Sequence, residues 1–140
     1  MKAVRIDLTA WRHVPWGGAS GDQDIVILGL NWSTATCLMQ VRDAAGDTGT
    51  PLVSLTNALA GAEGISLAYD AGYIHPTTGA VVGATSIRPQ INQNTLEAIP
   101  LPSEASDPLS LAWDLQLTVG GLPKLLFAYG QFTLFPGVTY

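Results

Sequence analysis

Leu109-Ser110-Leu111-Ala112-Trp113-Asp114-Leu115-Gln116-Leu117-Thr118-Val119 is the stretch that decides the fold of this chain. Leu109, Leu111, Trp113, Leu115, Leu117 and Val119 alternate with smaller or polar residues, so a period of two sets every large apolar side chain on one face of a strand. Gly120-Gly121 and Pro123 mark a turn, and Lys124 to Phe135 reads as the returning arm of a long hairpin. On that arm Leu125, Phe127 and Tyr129 are expected on one side, with Leu126, Phe132 and Leu134 on the other. An apolar face of six residues needs a second sheet against it, so the hairpin predicts an all-β sandwich.

Working back toward the N-terminus, Val4, Ile6 and Leu8 alternate with Arg5, Asp7 and Thr9, and Ile25 to Leu30 forms a short, fully apolar strand. Thr34 to Arg42 is the next strand, closed by turn residues from Asp43 to Gly49, and Leu52 to Leu55, Ile65 to Tyr69 and Ser86 to Ile91 follow. A loop of Gly, Pro and Thr fills the interval between Asp70 and Gly83. Asn92 to Ile99 is the single helical candidate, with Asn92 or Asn94 as N-cap and Pro100 as its stop. About seven strands with one short helical turn predict an immunoglobulin-like β-sandwich, a single domain over residues 1–140.

Composition narrows the function classes. Charged residues are 12% of the chain and hydrophobic ones 47%, with a mean hydropathy of +0.26, which implies apolar surface covered by neighbouring subunits. A net charge of −5 with only six Lys and Arg argues against a nucleic-acid partner. The opening Met1 to Arg5 reaches Asp7 before any run that could serve as a signal peptide, and no segment has the length of a membrane span. Synthesis in a cytoplasm, without membrane insertion, is the expectation.

Candidate chemistry is sparse. Cys37 stands alone and shares a face with Ala35, Met39 and Val41, as a small buried hydrophobe does. His13 and His75 have no neighbouring Cys or His, so both read as loop histidines. Asp43 and Asp47 around Gly46 lack the remaining acceptors of a calcium loop. Gly79 to Thr85 lacks the Lys of a phosphate loop, and Gly17 to Gly21 lacks the spacing of a nucleophile elbow. Asn31-Trp32-Ser33 fits a glycosylation sequon by chance, and Glu104 and Asp107 serve solubility beside a proline-rich linker. No enzyme activity, cofactor or metal is expected.

Several segments occur in a familiar order: Ile6-Asp7-Leu8 with Trp11-Arg12; Ala35-Thr36-Cys37-Leu38-Met39-Gln40-Val41-Arg42-Asp43; Thr95-Leu96-Glu97-Ala98-Ile99; Leu111-Ala112-Trp113-Asp114-Leu115-Gln116-Leu117; and Lys124 to Leu134. Over nearly its whole length the chain resembles the small immunoglobulin-like proteins of tailed bacteriophages, similar to the N-terminal domain of baseplate upper proteins. It differs in a longer insertion from Tyr73 to Thr85 and in ending at Tyr140, where longer relatives continue into fibre or receptor-binding parts. The resemblance implies a non-enzymatic virion protein made in the host cytoplasm. It would be a tail-tip or baseplate adaptor, homo-oligomeric in the particle, whose partners are tail, baseplate or fibre subunits. A capsid decoration or head-fibre protein is the alternative within that class.

Contact residues are expected where aromatics meet flexible glycine outside the strands: Trp11, Arg12, Trp16, Tyr73, Phe135 and Tyr140. Trp32 reads first as core, and Trp16, beside a glycine loop, as core or contact alike. A carbohydrate-binding module, from a different class, would stack sugars on Trp16, Tyr73 or Tyr140.

Overall fold

The computed structural model of the protein describes residues 3–12, 14–17, 24–44, 46, 49–100 and 108–136. Ten strands and one short helix follow in the order β1 (Val4–Arg5), β2 (Leu8–Trp11), β3 (Trp16–Gly17), β4 (Ile25–Leu28), β5 (Thr36–Arg42), β6 (Val53–Thr56), β7 (Gly64–Asp70), β8 (Ala84–Ile91), α1 (Gln93–Glu97), β9 (Leu109–Thr118) and β10 (Leu125–Phe135). The count exceeds seven because the first expected strand is divided at Ile6-Asp7 and because Trp16-Gly17 adds a two-residue piece.

Two sheets pack as a sandwich. In the larger, β10, β9, β5 and β6 lie side by side and antiparallel, and β1 and β2 run parallel to β10 along its other edge. In the smaller, β8 is central. Both β7 and β4 pair with residues 84–87 of β8, so they hold opposite edges; β7 and β3 likewise share Gln90 as partner. Hence β3 and β4 are successive pieces along one edge. The orders β6-β5-β9-β10 and β4-β8-β7 match C′-C-F-G and B-E-D of an immunoglobulin sandwich. The N-terminal strands join β10, so among the described residues the place of an A strand beside β4 is not filled.

The core lies between the sheets. Leu111, Trp113, Leu115 and Leu117 of β9 are buried, as their alternation requires, against Ile27, Ile65, Ile87 and Ile91 of the smaller sheet. Cys37 is buried, and desolvation pushes its thiol up to about 11. Trp32 is half-buried against Phe127, edge to face at 6.4 Å. Leu96 and Ile99 close one end of the sandwich.

The returning arm departs from simple alternation. A bulge between Leu126 and Ala128 inserts an extra residue, so Leu125, Ala128, Gly130, Phe132 and Leu134 stand opposite the inward residues of β9. Phe127 is buried within the bulge, while Tyr129 and Leu126, expected on opposite sides, both fall on the outer face. Sequence alternation before the bulge therefore assigned Tyr129 to the wrong partners.

The division of the first strand has its own cause. Ile6 accepts from the Trp113 indole N–H at 2.8 Å, which pulls its carbonyl over Gly130, where a Cβ would come within 2.1 Å of that oxygen. Asp7 then fills the gap in the ladder by accepting from the Gln131 N–H at 3.0 Å. The long interval after Asp70 is also built: Tyr73 and His75 bond to Val82 and Ala80 as a small hairpin, and His75 Nδ1 accepts from the Thr77 and Thr78 N–H groups. His75 is a turn residue, as read from sequence; His13 and Asp47 lie outside the described residues.

Candidate functional site

The outer face of the larger sheet gathers the exposed chemistry. Outward positions pair in rows across the strands: Leu126, Gln116 and Leu38 form one row, and Tyr129, Asp114 and Gln40 the next. At the far end Phe135 is in register with Trp11 on β2. Their rings stack with centroids 4.7 Å apart and planes at 24°, and Trp11 remains 54% exposed. Leu126 and Tyr129 are 42% and 41% exposed, so β10 presents apolar and aromatic surface at its start and, past the polar Gln131 and Thr133, again at Phe135.

A cleft of about 230 Å³ opens beside Tyr129. Ala112 and Gly130 leave its floor low, and Ala44 and Gly46, just after β5, form a wall. Arg42 is fixed there by donating to Gln40 Oε1 at 3.0 Å and to the Gly49 carbonyl. Asp114 lies half-buried in the same row. Desolvation pushes its carboxyl above the usual carboxylate value, against the opposing pull of Arg42 and a hydrogen bond from Gln116. Among the described residues no group of three His, Cys, Asp or Glu gathers, and no helix is long and apolar enough to cross a membrane. The face offers stacking, apolar contact and directed hydrogen bonds.

The expected contact residues divide. Trp11 and Phe135 come together as one aromatic unit. Arg12 follows them in the chain but turns back to α1, donating to the main-chain oxygens of Glu97 and, at 3.3 Å, Ile99. Those carbonyls carry the negative end of the helix. At the opposite end Glu63 accepts from the Asn92 N–H at 2.7 Å and the Thr95 hydroxyl at 2.6 Å, so side chains of complementary sign bracket α1. Arg12 thus has an intramolecular task.

Trp16 requires a correction as a contact residue and as a sugar platform. It is 4% exposed, its indole donates to the Thr9 carbonyl at 2.9 Å, and its ring meets Phe132 edge to face at 5.4 Å. The glycines beside it suggested a surface loop, whereas the ring points into the core. Tyr73 is half-buried at the base of the small hairpin, away from the aromatic row, and Tyr140 lies outside the described residues. Tyr129, Leu126 and Asp114 went unsingled as contacts because their common face depends on the bulge and on pairing across three strands.

No protein-family model matches the chain, and no curated protein matches it.

Proposed function

We propose that this chain is a non-enzymatic structural protein of a tailed-bacteriophage particle, an adaptor at the tail tip or baseplate that joins the tail to fibres or neighbouring subunits. The outer face of the larger sheet carries the reading: Leu126 and Tyr129 on β10, and Trp11 stacked on Phe135 at the far end of that strand, are exposed on a hydrogen-bonded support. A sheet face is rigid, so its side chains meet a partner with little ordering cost. Aromatic anchors with a polar fringe of Gln40, Arg42 and Asp114 are the composition of a protein contact. The resemblance of the order of segments to that of phage immunoglobulin-like proteins is what supports a phage particle as its place.

Mass spectrometry and antibody labelling of purified particles test this reading. Label at the tail end is the expected result, and particles that carry the Trp11→Ala, Tyr129→Ala double variant should hold several-fold less of the chain. Label on the head would instead support a capsid decoration or head-fibre protein. Absence from particles overturns the assignment.

The cleft beside Tyr129 favours a second reading, a carbohydrate-binding module. An exposed ring with a carboxylate, an amide and a guanidinium around it can stack on a sugar and bond its hydroxyls. A glycan array separates the two: binding lost in Tyr129→Ala supports the module, and a blank array leaves the adaptor.

A further inference from the structure

The smaller sheet ends in an edge unlike the others. Its strand β4 is Ile25-Val26-Ile27-Leu28, four aliphatic residues without charge, proline or bulge. The other edges carry the devices that keep strands apart. Arg5 lies on β1, and the Thr9 carbonyl of β2 is taken by Trp16; β6 turns Ser54 and Thr56 outward, and β7 ends in Asp70. Among the described edge strands β4 alone presents large aliphatic side chains on both faces, with Val26 and Leu28 each 39% exposed.

The hydrogen bonding of β4 shows which groups are unpaired. Gly29 donates to its direct partner Gly83 at 2.8 Å, so the same alternation turns the main-chain groups of Ile25 and Ile27 toward β8. Those of Val26 and Leu28 then point away from the sheet. Neither residue has a main-chain partner on that side among the described residues. A cleft of about 390 Å³, lined by Asp24 and otherwise by the apolar Val4, Ile6, Leu8, Ile25, Val26 and Phe127, opens beside the same edge, between the sheets.

We propose that β4 is a self-complementary seam through which two copies of this chain join, antiparallel and edge to edge, about a two-fold axis at Ile27. With the axis there, Val26 of each copy faces Leu28 of the other. Both are outward-bonding positions, so the two N–H and two C=O groups of each copy find partners, four hydrogen bonds in all. Val26 and Leu28 side chains meet across the seam as aliphatic pairs on the outer face. The nearest charge, Asp24, is held by its own Arg88 at 2.9 Å and lies at opposite ends of the pair, so no like charges face each other. A polar or charged foreign strand would satisfy the main chain but not the aliphatic side chains. A second copy satisfies both. The seam is short, so the dimer is reversible in solution and gains from high local concentration in an assembly. It does not depend on the particle, and particle incorporation is read separately.

Sedimentation of the full chain over a concentration series, beside Val26→Lys and Leu28→Lys, tests the seam. The wild type should move from 14.7 kDa toward twice that mass, and each lysine should raise the dimer dissociation constant roughly tenfold or more with an unchanged near-ultraviolet spectrum. Disulfide trapping fixes the register. Opposed bonded positions lie about 5.5 Å apart at Cα, within disulfide reach. A mixture of Val26→Cys and Leu28→Cys chains should therefore cross-link, while each alone stays monomeric on a reducing-agent-free gel. Cys37, buried, stays silent. A wild type that remains monomeric to its solubility limit overturns the proposal, as does a dimer indifferent to both lysines. A Val26→Cys chain that cross-links with itself overturns the axis at Ile27.

Discussion

β9 and β4 are both apolar strands, and they solve opposite problems. β9 alternates, sits between β5 and β10 with both edges bonded, and turns one face to the core and the other to half-buried polar residues. β4 does not alternate, has one bonded edge, and buries Ile27 while Val26 and Leu28 stay exposed. Alternation specifies a strand that is complete within one chain. A run of four aliphatics specifies a strand apolar on both faces, which a lone copy leaves unfinished.

The largest expected effect falls on β9. Trp113→Ala should cost about 3–5 kcal/mol in denaturant melts, because the indole fills the core and its N–H satisfies the Ile6 carbonyl. A loss below about 1 kcal/mol would mean that β9 is no more essential than an edge, and the contrast with β4 would fail. Gly130→Ala comes next. Its methyl would meet the Ile6 main chain, so the N-terminal strands must shift, for roughly 1–3 kcal/mol. Hydrogen exchange should speed up in β1 and β2 before β9 and β10.

The difference also explains what could be read from the sequence. β5, β8, β9 and α1 were legible because their periodicity and stops are local: Leu111 to Leu117 alternate, and Pro100 follows the helix. The crossing at Ile6-Asp7 was not, since it depends on an indole 107 positions away. The same holds for the outer face. Tyr129 joins Asp114 and Gln40 only after the bulge shifts the register, and Trp16 is core only because β3 lies along β8 beside Phe132. Trp11 was legible as exposed aromatic surface; the role of Arg12 at the end of α1 was not, because its acceptors lie 85 and 87 positions on.

A mid-sized effect sharpens the contrast inside the larger sheet. Asn57 accepts from the Cys37 N–H at 2.8 Å and donates to the Ala35 carbonyl at 3.0 Å, pinning the start of β5 where β6 has ended. Asn57→Ala should cost about 1–3 kcal/mol by leaving both main-chain groups unpaired. Leu28→Ser on β4, by comparison, should cost the isolated monomer no more than about 1 kcal/mol, since its side chain is 39% exposed. If Leu28→Ser unfolds the monomer, β4 is an ordinary core strand and its exposure is misread.

The smallest effect separates two carboxylates by sign. Asp114 on the outer face of β9 is desolvated, so its carboxyl titrates above the usual value in the folded chain, and the folded state binds the proton more tightly than the unfolded one. Stability from this group is therefore present at low pH and lost as pH rises from the ordinary carboxylate value, 3.8, through the raised one. Asp7 runs the other way. The Gln131 N–H and Arg5 hold its carboxyl below that value, so its contribution is present above 3.8 and lost as pH falls through the lowered value. Thermal melts between about pH 3 and 7 should show Asp114→Asn gaining on the wild type toward neutrality, by less than about 0.5 kcal/mol because solvent still screens the exposed part of the group. Asp7→Asn should lose ground over the same interval. Parallel curves for the two variants would mean that Arg42 and the Gln116 hydrogen bond outweigh desolvation at Asp114, and a flat Asp114→Asn curve that the outer face of β9 is fully wet; either outcome overturns the half-buried character assigned to that face.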